Sequence, residues 1–176
     1  IGELVAVDDT ICIAFRKELY KITLKELIEG KDTEWIVDEG IKSIHDGMIK
    51  KLYVRDQYIL SIANDKKIGI WTVASPTPVY VLPRESDDYY KTSFLTDNNI
   101  LFVARTNEVY AYKIDSQNPS RSTMIHKLEK DGSSPHTDDV DLIQMINDNQ
   151  LITVSSDGIV CIWDMETYQL QQTVML

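Results

Sequence analysis

Residues 150–164 read QLITVSSDGIVCIWD, and this stretch decides the fold. Two runs of β-forming residues, QLITV and IVCIW, flank the turn-forming residues Ser-Ser-Asp-Gly. An Asp-Gly pair between two such runs is a strong signal for a β-hairpin. The sequence therefore predicts two antiparallel strands, the second of which ends on Trp163 and Asp164. Whether the hairpin stands alone or is one unit of a repeat determines the architecture.

The same pattern occurs three more times, at 10–22, 58–71 and 99–112. With the first hairpin, the four equivalent end positions are Ile22, Trp71, Tyr112 and Trp163. They are separated by 49, 41 and 51 residues, and the average unit is about 44 residues long. That length is typical of one four-stranded blade of a β-propeller.

Each hairpin is flanked by sequence for two further strands. We predict inner strands at 3–7, 48–54, 89–95 and 140–146, and outer strands at 33–37, 77–83, 122–128 and 168–176. The segment 24–30 is predicted to be a connecting loop or a single helical turn. We divide the chain into approximate units 1–40, 41–83, 84–125 and 126–176. A β-sandwich or closed barrel is the alternative, but neither requires an aromatic residue at this spacing.

Four side chains recur at matching positions in the second and fourth units. They are His45, Ser61, Asp65 and Trp71 in one, and His136, Thr153, Asp157 and Trp163 in the other. In both units the hydroxyl precedes Trp by ten residues and the Asp precedes it by six, while the His lies 26 or 27 residues before it. The pattern resembles the WD-repeat family, in which such residues form a hydrogen-bonded set within each blade.

The resemblance implies an all-β WD-repeat β-propeller with about four four-stranded blades. These blades would form part of a larger ring of about seven, with the remainder supplied by the same protein or by a partner. The first and third units depart from the pattern at the hydroxyl, Asp and Trp positions. These positions hold Cys12, Arg16 and Ile22 in the first unit, and Phe102, Thr106 and Tyr112 in the third. We expect those two units to depend on apolar packing.

Composition excludes several classes of protein. The net charge is −10 and the pI about 4.7, so direct binding to nucleic acid or an anionic membrane is not expected. Both cysteines lie in apolar β-like runs, which argues against a disulfide scaffold or a cysteine zinc site. No apolar run is long enough to insert into a membrane. The chain starts without a signal-peptide pattern, and an intracellular location, cytoplasmic or nuclear, is favoured.

The sequence offers little support for catalysis. The two His–Asp pairs could be read as general bases, but their spacing is that of the blade network. Asp138, Asp139 and Asp141 resemble a metal cluster, although an acidic loop is the preferred interpretation. Phosphate-binding glycine loops and nucleophile motifs are missing from the sequence. We therefore expect no enzymatic activity, no metal and no cofactor.

In the WD-repeat family, the loops around the His and the turn Asp line one rim of the ring, where peptides and partner domains dock. The resemblance implies a protein-binding rim with candidates Asn64, Lys66, Lys67, Arg105, Asn107, Asp138, Asp139 and Ser156. We expect a non-catalytic scaffold or adaptor in an intracellular multiprotein complex, with other proteins as partners. Two alternatives stay open: a propeller that presents substrate within a larger enzyme or enzyme complex, and a subunit of an RNA-associated complex.

Overall fold

The computed structural model describes residues 2–29, 44–65, 67–74, 77–82 and 89–176. They fall into two compact units, Ile1–Ser86 with Ser116–Ser120, and Asp87–Asp115 with Arg121–Leu176. Strands dominate both units, and the helical elements of the described residues are a five-residue helix and a short 3-10 turn, Pro119–Arg121. Neither could cross a membrane, and the same holds for every helix in the described ranges.

The first unit contains two antiparallel sheets. The first sheet has three strands in the order β1 (Glu3–Val7), β2 (Thr10–Phe15) and β3 (Glu18–Thr23), and the single-turn helix α1 (Leu24–Ile28) follows it. The outer strand predicted at 33–37 lies outside the described residues. The second sheet has four strands in the order β4 (Ile49–Arg55), β5 (Tyr58–Ala63), β6 (Ile68–Thr72) and β7 (Tyr80–Val81).

The second unit contains two four-stranded antiparallel sheets. The third sheet is formed by β8 (Tyr90–Leu95), β9 (Ile100–Arg105), β10 (Glu108–Lys113) and β11 (Thr123–Leu128). The fourth is formed by β12 (Val140–Asn147), β13 (Gln150–Ser155), β14 (Ile159–Asp164) and β15 (Leu170–Met175). In each sheet the strands follow chain order. The prediction of an all-β fold is therefore confirmed.

The QLITVSSDGIVCIWD stretch forms the β13–β14 hairpin, in which Leu151 pairs with Trp163. The Gly158 N–H closes the turn on the Ser155 carbonyl at 3.0 Å. Gly158 has a φ of 79°, in the left-handed region where residues with a Cβ are strained. The Asp-Gly signal therefore reflects a conformation that the turn requires.

Each unit has an apolar core that joins its two sheets. In the first unit Leu19, Ile49, Leu52 and Trp71 belong to one buried cluster. In the second, the cluster includes Phe102, Leu128, Val140, Leu151 and Trp163. Strands β5 and β9 are buried at every position, because both of their faces are covered. This explains why their sequences are mostly apolar at successive positions rather than alternating between apolar and polar residues.

A backbone hydrogen bond links the two sheets of each unit at the same place. The Ile49 N–H donates to the Arg16 carbonyl at 2.7 Å, and the Val140 N–H donates to the Thr106 carbonyl at 2.8 Å. Ile49 and Val140 each lie four residues after the motif His, at the start of an inner strand. Arg16 and Thr106 occupy the turn-Asp position of the preceding unit, with φ values of 57° and 50°. The turn therefore positions the next inner strand.

The third sheet is built around a buried arginine, where apolar packing was expected. Arg105 is 1% exposed and donates to the Tyr112 hydroxyl at 2.6 Å and to the Tyr90 hydroxyl at 3.0 Å. Its guanidinium also lies over the rings of Tyr90 and Tyr110, 5.0 and 4.6 Å from their centroids. A charge that cannot be neutralised must be paired when it is buried. The aromatic hydroxyls and ring faces supply that pairing.

This geometry predicts unequal effects for two matched tyrosine substitutions. Tyr112→Phe removes an acceptor from the buried guanidinium and should lower the free energy of unfolding by about 1–3 kcal/mol. Tyr110→Phe removes a hydroxyl that donates to the half-buried Glu108 and should cost less. Urea titrations of both variants would measure the difference. Equal losses would show that the Arg105–Tyr112 bond is not a principal constraint.

Candidate functional site

In the second sheet, four side chains form one continuous hydrogen-bonded chain. The Trp71 indole N–H donates to Ser61 Oγ at 2.7 Å, and Ser61 Oγ lies 2.7 Å from His45 Nε2. The other ring nitrogen, His45 Nδ1, lies 3.1 Å from Asp65 Oδ1. Ser61 and His45 are buried, at 0% and 1% exposure. The structure therefore brings together all four motif residues of this unit.

The direction of the hydrogen bonds follows from the chemistry of the two ends. An indole N–H only donates and a carboxylate only accepts. Ser61 therefore accepts from Trp71 and donates its proton to His45 Nε2. His45 then carries its proton on Nδ1 and donates to Asp65, so every member is satisfied by one tautomer of the ring.

Asp65 also connects the loop that holds His45 to the turn between β5 and β6, because it accepts hydrogen bonds from backbone N–H groups in both. It accepts from the Asp46 N–H at 2.6 Å and from the Lys67 N–H at 3.1 Å. Burial acts to raise the pKa of Asp65. The hydrogen bond from His45 and the two backbone donors outweigh it and hold the pKa below its usual range. The carboxylate is therefore ionised in the folded chain.

The fourth sheet forms a similar chain with one additional member. The Trp163 indole N–H donates to Thr153 Oγ1 at 2.8 Å, and Thr153 Oγ1 lies 2.7 Å from His136 Nε2. His136 Nδ1 lies 2.7 Å from Ser155 Oγ, whose hydroxyl donates to Asp157. In this unit the connection between His136 and Asp157 is therefore indirect. Ser155 stands between the two side chains.

The difference between the two sheets traces to one position, eight residues before Trp. The fourth sheet has Ser155 there, and the second has Ala63, which is fully buried. A methyl group leaves the imidazole free to reach Asp65, whereas a hydroxyl can accept from the imidazole and donate onward. Sequence reasoning missed Ser155 because it lies outside the shared motif. The signal was a second hydroxyl two residues after Thr153.

His136 is held neutral by its surroundings. Burial lowers the pKa of His136, against a smaller opposing effect from the charge of Asp157. Protonation of the ring would also make Nε2 a donor. The Thr153 hydroxyl would then face two donors, the Trp163 indole N–H and His136 Nε2–H. For Asp157, burial acts to raise the pKa, but hydrogen bonds from Ser155, Thr137 and the Ile159 N–H hold it well below its usual range.

The aspartate of the Trp-Asp pair has a different role. Asp164 Oδ1 accepts from the Thr167 N–H at 2.8 Å and from the Glu166 N–H at 3.0 Å, and Oδ2 accepts from Gln171 Nε2 at 3.0 Å. The backbone and side-chain bonds from Thr167 are the main reasons that the pKa of Asp164 is lowered. Asp164 thus organises the β14–β15 loop. The second sheet has Thr72 at this position.

The Ser61–His45–Asp65 arrangement has the order of a catalytic triad but not its accessibility. A nucleophilic serine must present its Oγ to a substrate. Ser61 is 0% exposed, and its Oγ accepts the Trp71 indole N–H at 2.7 Å. Thr153 is likewise 0% exposed and accepts the Trp163 N–H. The geometry supports a fastening role for both hydroxyls.

The predicted rim residues differ in how far internal contacts already engage them. Asn64 is half-buried, and its N–H donates to the Met48 carbonyl at 3.0 Å. Lys67 Nζ donates to the Ile44 carbonyl at 2.7 Å, and Asn107 Nδ2 donates to the His136 carbonyl at 2.9 Å. These three residues position the His-bearing loops.

Two of the predicted rim residues, Arg105 and Lys66, cannot be assigned to the binding rim. Arg105 is wrong as an exposed binding residue, because its side chain points into the third sheet and is 1% exposed. A turn position in the sequence does not reveal that direction. Lys66 lies outside the described residues.

The acidic rim of the fourth sheet is paired internally. Asp139 forms an ion pair with Lys91, and Asp141 accepts from the Ser156 hydroxyl at 2.5 Å. Asp138 is exposed and accepts from the Asp139 N–H at 2.8 Å. Within the described ranges no three metal-ligating side chains converge. Asp138 and Ser156 are the most accessible of the described rim candidates.

Comparison with solved structures identifies the architecture. The crystal structure of the computationally designed Ika8 protein matches with a TM-score of 0.66 at 15% identity, over 96% of this chain and 46% of that one. The WD40 β-propeller domain of Doa1 matches with a TM-score of 0.62 at 15% identity, over 99% of this chain and 54% of that one. No family model matches the sequence. The chain spans about half the length of both structures, and its fold is that of a partial β-propeller.

The extra hydroxyl in the fourth sheet predicts a measurable cost on its removal. Ser155→Ala leaves the buried His136 Nδ1–H without its acceptor and should lower the free energy of unfolding by about 1–3 kcal/mol. The matched control is Ser156→Ala, which removes an exposed hydroxyl and should cost less than about 0.5 kcal/mol. Urea titrations would test both. A loss no larger than the control's would mean that His136 reaches Asp157 without Ser155.

The lowered pKa of His136 predicts a pH dependence with a definite sign. Below its ordinary value of about 6.5, the unfolded chain takes up a proton that the folded chain refuses. This contribution to stability is therefore present above about pH 6.5 and is lost as the pH falls, by at most about 1.4 kcal/mol per pH unit. Unfolding titrations from pH 7.5 to 5.0 should show a steeper loss for the wild type than for His136→Gln. Parallel curves would contradict the assignment.

Proposed function

We propose that this chain is a non-catalytic protein-interaction scaffold or adaptor, a WD-repeat segment of an intracellular multiprotein complex. The observation that carries the proposal is the burial of its one serine–histidine–aspartate chain among the described residues, with Ser61 0% exposed. Propellers of the WD40 type are typically non-catalytic. The two motif sets, each ending on a buried Trp, support placing the chain in the WD-repeat family.

The location of the binding surface is part of the same proposal. The loop that holds His136 is fixed from within by hydrogen bonds, so it offers a rigid platform. On the fourth sheet Asp138 and Ser156 remain exposed at the end of this platform. A preorganised polar surface lowers the entropic cost of recognition. A larger ring of about seven blades, a cytoplasmic or nuclear location, and the unit boundaries given above complete the proposal.

Site-directed crosslinking of the intact protein tests this proposal. Cys12 and Cys161 are buried, so a photo-crosslinker attached to Ser156→Cys reports mainly on the rim. The matched control is Gln172→Cys, an exposed position on the outer strand β15. We expect a defined partner protein to be captured from Ser156→Cys but not from Gln172→Cys, and we expect Asp138→Lys to weaken its binding.

Other outcomes would overturn the proposal in distinct ways. A catalytic turnover lost in both Asp138→Asn and Ser156→Ala would favour a domain that presents substrate within an enzyme. Capture of RNA with steep salt dependence would favour an RNA-associated subunit. Equal labelling from both cysteine positions would remove the rim as the binding surface.

A further inference from the structure

A second surface lies at the end of the third and fourth sheets opposite to the His136 loop. The turn between β8 and β9, the turn between β12 and β13, and the start of the β14–β15 loop enclose a cleft of about 390 Å³. Phe94, Met145 and Met165 line it, and each packs against the buried core of the second unit. Ile146 also lines the cleft and is 52% exposed. The cleft thus has an apolar interior that solvent reaches.

Two carboxylates on the lining of this cleft are unused by the fold. Asp97 and Asp148 are exposed, and within the described part of the chain neither forms a hydrogen bond or an ion pair through its side chain. Elsewhere in the same unit, Asp139 pairs with Lys91 and Glu108 pairs with Lys127. The nearby Lys113 is directed to the Asn98 carbonyl at 2.6 Å.

We propose that this cleft binds a peptide segment of a partner protein, with one apolar side chain inserted and lysine or arginine beside it. Apolar side chains of Phe94, Met145 and Met165 favour an aliphatic or aromatic residue, and methionine adapts to several shapes. Asp97 and Asp148 favour a cationic neighbour. Phosphate-bearing ligands and anionic lipid surfaces are disfavoured by the same charges. The proposal rests on the protein-binding function above but uses a different surface.

Methyl NMR of the intact protein gives a direct test. Of the five methionines in this sequence, two line the cleft and three lie outside it. With ¹³C-methyl methionine, a panel of octapeptides carrying a central Leu, Phe or Met between Lys or Arg residues should shift the Met145 and Met165 signals. The internal controls are Met48, Met124 and Met175. A panel with Glu in place of the basic residues should leave all five signals unmoved.

Fluorescence polarisation with the same labelled peptides measures the charge contribution. Asp97→Asn and Asp148→Asn should each weaken binding about two- to fivefold, the range for an exposed ion pair. Ile146→Asn should weaken it at least as much. The control Asp131→Asn changes an exposed aspartate outside the cleft and should have no effect.

The outcomes separate this inference from the proposed function. Equal binding of the basic and acidic panels, or unmoved Met145 and Met165 signals, would overturn the cleft proposal even if crosslinking from Ser156→Cys captures a partner. Peptide binding at the cleft without any partner at Ser156 would support the cleft and overturn the rim.

Discussion

The structure depends on a hydrogen-bonded chain that runs in one direction from a buried indole to a carboxylate. Trp71 or Trp163 can only donate, and Asp65 or Asp157 can only accept, so each hydroxyl and imidazole between them has a single consistent orientation. The chain joins two strands and their turn to the loop before the inner strand. Since a buried polar network stabilises only when complete, loss of one member disturbs all of these elements.

The sheets without this chain show that the fold tolerates other solutions. The third sheet places Arg105 among tyrosines, with a 2.6 Å bond to Tyr112 at the position equivalent to Trp. The first sheet has Cys12 at the hydroxyl position, buried at 0% exposure, and burial raises the pKa of its thiol. Neighbouring Lys21 donates to the Thr72 carbonyl at 2.7 Å and so attaches the first sheet to the second. The sheets therefore share the same packing geometry, although they do not share the same set of His, hydroxyl, Asp and Trp residues.

The sequence was sufficient to predict the strands and the two motif sets, because both depend on local pattern and fixed spacing. Turn residues indicate the hairpins, and a Trp ten residues after a hydroxyl indicates each motif set. Both patterns can be recognised from the sequence alone. The sequence could not predict that the Ser155 side chain lies between His136 and Asp157, or that Arg105 is buried. Each of these features depends on where a side chain points. Strand alternation gives no guide when both faces of a sheet are covered, as they are at β9.

The hydrogen bonds made within the fold limit which residues can bind a partner. Lys67, Asn107 and Asp139 are already committed to internal contacts, so using them for a partner would require those contacts to break. Residues whose polar groups the fold leaves available carry no such cost. On the rim, Asp138 and Ser156 are exposed but already make hydrogen bonds with Asp139 and Asp141. At the opposite end of the sheets, Asp97 and Asp148 lie beside apolar side chains and form no side-chain hydrogen bond within the described residues. The two ends therefore differ chemically, since one is a polar platform and the other pairs charge with apolar surface. A protein that binds through both would select different partner chemistry at each.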